Sequence, residues 1–211
     1  MQTVSRRTLM ALGLVSAASA GLPALAQGTA TEVSGIRYAA TQQLAGTTLQ
    51  LNGAGQRSRF LVKVYTAGLY LGGKATTPQA VYDMPGPKRL HVVMQREIDA
   101  NELGRLFTRG MQDNAPRDGF SKFIPGTIQL GELFAARKRL LARDQFFVDF
   151  VPGVGTTVVV NGQPQGEPIR EPEFFNALMR IWLGDKPADG DLKDALLGRK
   201  TSNVGGSPGQ Q

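Results

Sequence analysis

"GAGQRSRFLVKVYTAGLYLGG", residues 53–73, decides the fold. Its two glycines are spaced like the first pair of a dinucleotide fingerprint, G-x-G-x-x-G, but Ser58 stands where the third glycine belongs. The next segment, Phe60 to Leu71, is dominated by β-branched and aromatic residues and reads as a strand. A pyrophosphate loop needs a helix N-terminus behind it, whose free N–H groups and dipole hold the phosphates. A strand supplies neither, so the nucleotide reading is set aside. The other reading, a strand that carries an arginine into a lipophilic cleft, stays open at this point.

Upstream lies "MQTVSRRTLMALGLVSAASAGLPALAQG", with a basic start, an apolar stretch from Leu9 to Ala18 and small residues ending at Ala24-Leu25-Ala26. That pattern is a removable export signal over residues 1–26. The pair Arg6-Arg7, preceded by Ser5 and followed by Leu9, fits twin-arginine signals, which export folded proteins; a plain Sec signal is the alternative. The export machinery is then a transient partner and the mature chain, from Gln27, is expected to be periplasmic. No later stretch has the roughly 18 apolar residues that a membrane helix needs, so no stable membrane insertion is expected.

The length after the signal suits one domain, residues 27–199, followed by a polar, Gly/Ser-rich tail over 200–211 that is expected to be disordered. The chain has no cysteine, which excludes disulfides, thiol nucleophiles and cysteine-bound metals. Net charge is +7, and the loss of Arg6 and Arg7 with the signal leaves +5. The basic residues are scattered, and nucleic acid is not an expected partner. The densest cluster, "ARKRLLAR" (136–143), reads as a solvated helix face or, less simply, a binding patch.

Periodicity predicts strands near Val33–Tyr38, Thr47–Leu51 and Phe60–Leu71, then a short helix with Thr77 as N-cap and Pro78 first. "KRLHVVMQ" reads as a strand, and "DANELGRLFTRGMQDN" as a helix capped by Asp99 with Glu102 three residues on. A further helical region runs from about Phe123 to Leu141. Turn signals at Val154-Gly155 and Asn161-Gly162 mark hairpins. "PEFFNALMRIWLGD" and "DGDLKDALLG" close the chain as helices ending near Gly184 and Gly198. Early strands, middle helices, a hairpin pair and final helices give an α+β class, an antiparallel sheet with helices mainly on one face.

Catalytic signatures are thin. His91 is the only histidine, which excludes multi-histidine metal sites, and within a strand it reads as a structural histidine rather than a general base. Trp182, Phe174 and Phe175 read as core, and Asp149 and Glu173 as surface. No metal or cofactor is implied.

"LNGAGQRSRFLVKVYTAGLYLG", "FVPGVGTTVVVNGQPQG" and "FFNALMRIWLGDKP", in that order, resemble the bacterial, exported branch of the chalcone isomerase-like proteins, from about Val33 to Gly198. The resemblance implies the chalcone isomerase fold, with an apolar cleft between an antiparallel sheet and a layer of helices. In the plant enzymes of that family an arginine holds the phenolate that closes the flavanone ring. A strand hydroxyl and a helix tyrosine polarise the ketone, and an asparagine seven residues after that tyrosine fixes the phenol. On this chain the resemblance places the arginine at Arg57, with Arg59 competing because the interval to Phe60 is short. It places the strand hydroxyl at Tyr65 and the asparagine at Asn114. The helix tyrosine falls on Phe107, which has no hydroxyl.

That departure shapes the expectation. Carbonyl polarisation needs a donor that Phe107 lacks, whereas an arginine and a tyrosine at one end of an apolar cleft suit a carboxylate head with a hydrocarbon tail. Non-catalytic plant members of the family bind fatty acids with such a pair. The chain is therefore expected to bind a fatty acid or similar small amphipathic anion. An intramolecular lyase of the chalcone isomerase type is the alternative, and a structural or partner-binding protein is a third.

Overall fold

Turn residues split what the sequence suggested as one strand near Val33–Tyr38. Ser34 and Gly35 both take positive φ, 50° and 74°, so β1 (Thr31–Val33) and β2 (Ile36–Tyr38) fold back on each other. The computed structural model describes residues 29–115 and 119–199. The expected export signal and polar tail lie outside the described residues.

After β3 (Thr41–Leu44), β4 runs for 13 residues from Thr47 to Arg59, where the sequence predicted an end at Leu51. The glycines of "GAGQRS" are strand residues. The next strand does not begin at Phe60 as expected, because Phe60 and Leu61 form a two-residue turn and β5 is Val62–Leu71. Then come α1 (Pro78–Asp83), with Thr77 Oγ1 accepting from Ala80 N at 3.2 Å, and β6 (Lys88–Met94). β7 (Ile98–Asp99) leads into α2 (Ala100–Asp113), whose N-cap Asp99 accepts from Glu102 N at 2.9 Å, as the sequence indicated.

The predicted helix over 123–141 stops early. A 3-10 turn at Ser121–Phe123 leads into α3 (Ile124–Ala135), and Arg139–Leu140 is a short strand, β8, paired with β7. Lys138 and Arg143 take φ of 61° and 74°, which no helix admits, so "ARKRLLAR" is a turn and strand rather than a helix face. β9 (Gln145–Val151), β10 (Gly155–Val160) and β11 (Gln163–Ile169) come next. The β10–β11 turn is at Asn161-Gly162 as expected. The β9–β10 turn occupies residues 152–154, one step before the predicted Val154-Gly155. α4 (Phe174–Leu183) and α5 (Gly190–Leu196) complete the fold.

Seven strands form one sheet in the order β11-β10-β9-β6-β5-β4-β3, every neighbouring pair antiparallel. Strand alternation gives the sheet two apolar faces. Tyr65, Ala67, Leu69 and Leu71 of β5 and Leu90, Val92 and Met94 of β6 join the helices in the main core. On the other face Tyr38, Leu49, Leu51 and Tyr70 form a smaller core under the β1–β2 hairpin. Tyr70 is structural, its hydroxyl donating to Ala39 O at 3.0 Å.

The glycine pair has a packing role. A bulge between Leu51 and Gly53 turns Gly53 and Gly55 toward the helix layer, and α5 lies directly on them. A Cβ at Gly55 would stand 2.5 Å from Ala195 Cβ, and one at Gly53 would overlap the Ala195 carbonyl oxygen. Buried Asn52 locks the seat. Its Nδ2 donates to Leu196 O at 2.7 Å and Ala75 O at 2.8 Å, and its Oδ1 accepts from Ala75 N at 2.8 Å.

Candidate functional site

Arg57 and Tyr65 are cross-strand partners on β4 and β5, so their side chains leave the same face of the sheet, toward α2 and α4. The Arg57 guanidinium carbon lies 5.5 Å from the centroid of the Tyr65 ring. A register irregularity separates Arg57 from Ser58, and Ser58 N leaves the ladder to donate to Asp189 Oδ2 at 3.0 Å. Asp189 Oδ1 accepts from Leu192 N at 3.0 Å as the N-cap of α5. Both oxygens of the neighbouring carboxylate are thus bound to backbone N–H groups. Among the described residues no carboxylate lies within ion-pair distance of Arg57, and its buried Nε has no hydrogen-bond partner.

Tyr65 is fixed from the other side. Trp182 Nε1 on α4 donates to its hydroxyl at 2.7 Å, in the interior. Burial pushes the Tyr65 phenol pKa up, while the Arg57 charge and the Trp182 N–H pull against that rise. The group is a neutral hydroxyl whose two polar neighbours, an indole and a guanidinium, are both donors. Its own proton is left for an oxygen from elsewhere.

Phe107 on α2 closes the inner end. It meets Phe134 and Trp182 edge-to-face at 5.4 and 5.5 Å, and Phe146 at 6.2 Å. The space behind it is filled by rings. In front, Arg57, Tyr65, Phe107, Leu103, Leu106 and Ile181 line a cavity of about 180 Å³, with Arg109, Asp113 and Lys186 at its mouth. A larger groove of about 470 Å³ shares Arg57 and Leu106 and runs outward past Val64, Val62, Ile98 and Phe60. Arg59 lines this outer groove, not the inner cavity. The structure therefore brings Arg57, Tyr65 and Phe107 together and sets Arg59 apart.

Asn114 is separated from them. Its Nδ2 donates to Gly110 O and Lys186 O, both at 2.9 Å, and its Oδ1 accepts from Lys186 N at 2.8 Å. It ends α2 and pins the loop after α4, and it lines neither cavity. With every amide group engaged by backbone, it has nothing to offer a ligand in this conformation. Sequence reasoning also missed the second role of Trp182, read there only as core. The one available signal was that a buried indole N–H needs an acceptor.

His91 is structural, as expected. Its Nε2 is 2.9 Å from Gln145 Oε1, its ring stacks on Phe147 at 4.4 Å, and burial lowers its pKa to about 4. Asp149, expected at the surface, is instead buried and forms a bidentate pair with Arg89, 2.6 Å to Nε and 2.7 Å to Nη2. The two are directly opposed on β6 and β9, where a charged residue without its partner would be costly. Glu173 is exposed and pairs with Lys122. Among the described residues no cluster of three His, Cys, Asp or Glu could hold a metal, and no helix is long and apolar enough to cross a membrane.

No curated protein matches the chain. Solved structures do match, among them a fatty-acid binding protein of Arabidopsis thaliana, at 14% identity over 77% of this chain and 92% of that one, with a TM-score of 0.63. At that identity the likeness is one of fold: an antiparallel sheet with helices packed on it. The model of the chalcone isomerase-like family matches residues 30–198, which include every strand and helix described above and the Arg57–Tyr65 pair. The chain belongs to the chalcone isomerase-like family.

Proposed function

We propose that the protein binds a small amphipathic anion, a fatty acid or similar lipid, without chemical turnover. Arg57 is the head-group anchor and Tyr65 the hydrogen-bond donor. The observation that carries this reading is the buried Nε of Arg57, which has no hydrogen-bond partner, beside a hydroxyl whose indole and guanidinium neighbours are both donors. A carboxylate answers both, since it offers acceptors and neutralises the half-buried charge. The binding activity in the name of the Arabidopsis protein supports the same ligand class.

The geometry modifies how such a ligand sits. An inner cavity of about 180 Å³ is smaller than the roughly 300 Å³ lower bound of typical ligand sites, and rings block its extension into the core. The head group therefore occupies the inner cavity and the tail runs outward along the groove past Leu106, Val64 and Val62. An apolar tail there excludes water from the Arg57 head-group contact, which strengthens it.

The test is native mass spectrometry of the protein purified from its own cells, followed by identification of whatever denaturation releases. A released fatty acid or lipid anion, with thermal stability that rises with added fatty acid concentration, is the expected result. An empty protein with no thermal shift across a fatty acid series overturns the reading.

The site of action in this proposal is the periplasm, reached through the twin-arginine route and followed by cleavage after Ala26. Its support is the Arg6-Arg7 signal pattern. Fractionation of cells carrying Arg6→Lys/Arg7→Lys is expected to leave the unprocessed chain in the cytoplasm. Normal processing to Gln27 in that variant sinks the twin-arginine route.

A further inference from the structure

The β4–β5 hairpin ends in Arg59-Phe60-Leu61-Val62-Lys63. Phe60 is 92% exposed, Leu61 100% and Val62 46%, the most exposed contiguous apolar group among the described residues. Phe60 also takes φ of 55°, the left-handed region where two-residue hairpin turns favour glycine or asparagine. Neither packing nor turn geometry explains a phenyl ring there. A ring held in solvent at a strained position points to a partner outside the fold.

Charge identifies the partner. The basic residues at the tip itself are Arg59 and Lys63, one on each strand, and no acidic residue lies between them in the chain. Arg59 and Lys63 flank the tip, and Arg96 lines the outer groove together with Arg59. Three acids line the same groove, and the fold engages two of them. Glu97 pairs with Arg139 at 3.0 Å, Asp99 caps α2, and Glu102 lies in the first turn of that helix.

We propose that this hairpin tip docks on an anionic lipid bilayer, with Phe60 and Leu61 inserted below the headgroups and Arg59, Lys63 and Arg96 on the phosphates. An apolar wedge with a basic collar is the chemistry of interfacial anchoring. A second protein copy fits less well, because a stable protein interface buries about 1,200–2,000 Å² and a two-residue turn supplies only a fraction of that. Phe60 and Val62 also line the outer groove, so docking sets the mouth of the groove against the lipid surface. Docking of the tip does not depend on what occupies the inner cavity.

The test uses the chain from Gln27 onward, which carries every element of the fold, and co-sedimentation with vesicles. Partitioning onto phosphatidylglycerol/phosphatidylethanolamine vesicles is expected to exceed that onto phosphatidylcholine by at least about tenfold, and to fall with salt. Phe60→Gly/Leu61→Ser is expected to lower partitioning by about tenfold or more without lowering the melting temperature, since glycine relieves the positive φ. Arg59→Gln/Lys63→Gln is expected to remove the preference for anionic vesicles. Arg57→Met, which removes the proposed ligand anchor, is expected to leave vesicle binding within about twofold, so the two readings fail separately. No vesicle binding by the parent, or undiminished binding by the Phe60/Leu61 variant, overturns the proposal. So does self-association that the variant abolishes while vesicles are ignored, which would assign the tip to a contact between copies.

Discussion

Two arginines on the same sheet, Arg57 and Arg89, meet opposite fates. Arg89 faces away from the helix layer, lies over the Phe147 ring at 4.5 Å, and is held by both oxygens of Asp149 with Gln42 accepting from a third nitrogen at 2.8 Å. Arg57 faces the helices, lies over the Tyr65 ring at 5.5 Å, and among the described residues pairs with no carboxylate. Each guanidinium sits on an aromatic face, so ring contact does not distinguish them. What does is whether the fold itself completes the acceptor set. A completed arginine is part of the scaffold, whereas an incomplete one beside a cavity is a position where a ligand finishes the hydrogen bonding.

The largest expected effect is on the completed side. Asp149→Ala leaves Arg89 charged and mostly buried, with side-chain exposures of 16% and 5% for the pair. Chemical denaturation is expected to show a loss of about 3–5 kcal/mol, the range for removing one partner of a buried pair. A loss below about 1 kcal/mol would mean the pair behaves as a surface salt bridge and the contrast with Arg57 fails.

The same face carries a pH signature. His91 sits beside Arg89 and Phe147, and its folded pKa of about 4 lies below the ordinary value of 6.5, chiefly through burial. Between those values the unfolded chain binds the proton and the folded one does not, so stability falls as pH drops from about 6.5 toward 4. The shift corresponds to at most about 3 kcal/mol. Because His91 is the only histidine, His91→Gln is expected to flatten stability across that window. An unchanged slope would assign it to carboxylates instead.

Arg57→Met tests the incomplete side, and stability and binding are expected to part company. Stability is expected to stay within about 0.5 kcal/mol of the parent, because no native ion pair is lost. Affinity for a fatty acid is expected to fall by about 1.5–3 kcal/mol, the range for a charge-assisted hydrogen bond. Equal binding would remove Arg57 as the anchor. Arg59→Met is expected to matter less, because Arg59 lies on the outer groove.

How much of this was legible in the sequence depends on the range of the interactions. Thr77, Asp99 and Asn161-Gly162 are local signals, and each falls where the sequence put it. The error at residues 51–60 has a physical cause. Gly53 and Gly55 weaken strand propensity locally, yet they belong in the strand because α5, some 140 residues later, needs bare backbone to lie on. "ARKRLLAR" failed for the same kind of reason: its composition favours a helix, but the β7–β8 pairing ends α3 before it. The family resemblance located Arg57, Tyr65 and Phe107, which the structure brings to one cavity. It did not foresee that Asn114 is occupied by backbone groups, nor that Asp149 is buried opposite Arg89. Asp149 depends on a partner 60 residues away and Asn114, besides Gly110 in its own helix, on one 72 residues away, and no spacing within one motif encodes those.

Phe107→Tyr is the smallest change, and it bears on why an incomplete arginine need not be a catalytic one. The parent cavity has one charge to hold an oxyanion and one hydroxyl, Tyr65, to donate from the strand side, but α2 presents only a ring edge at the inner end. Ring closure of a hydroxychalcone moves negative charge from the attacking phenolate oxygen, which becomes the ring ether, to the ketone oxygen, which becomes an enolate. The enolate requires a donor where Phe107 now stands. The parent is therefore expected to leave the rate in buffer unchanged, and Phe107→Tyr to raise it by a small measurable factor that Arg57→Met abolishes. The added hydroxyl enters an aromatic cluster, so a stability loss of about 1–3 kcal/mol is expected unless it turns into the cavity. Turnover by the parent would make Tyr65 a sufficient donor and the protein an isomerase. No gain in the variant would mean that the rings behind Phe107 hold the substrate out of reach, and that the cavity is shaped for a head group alone.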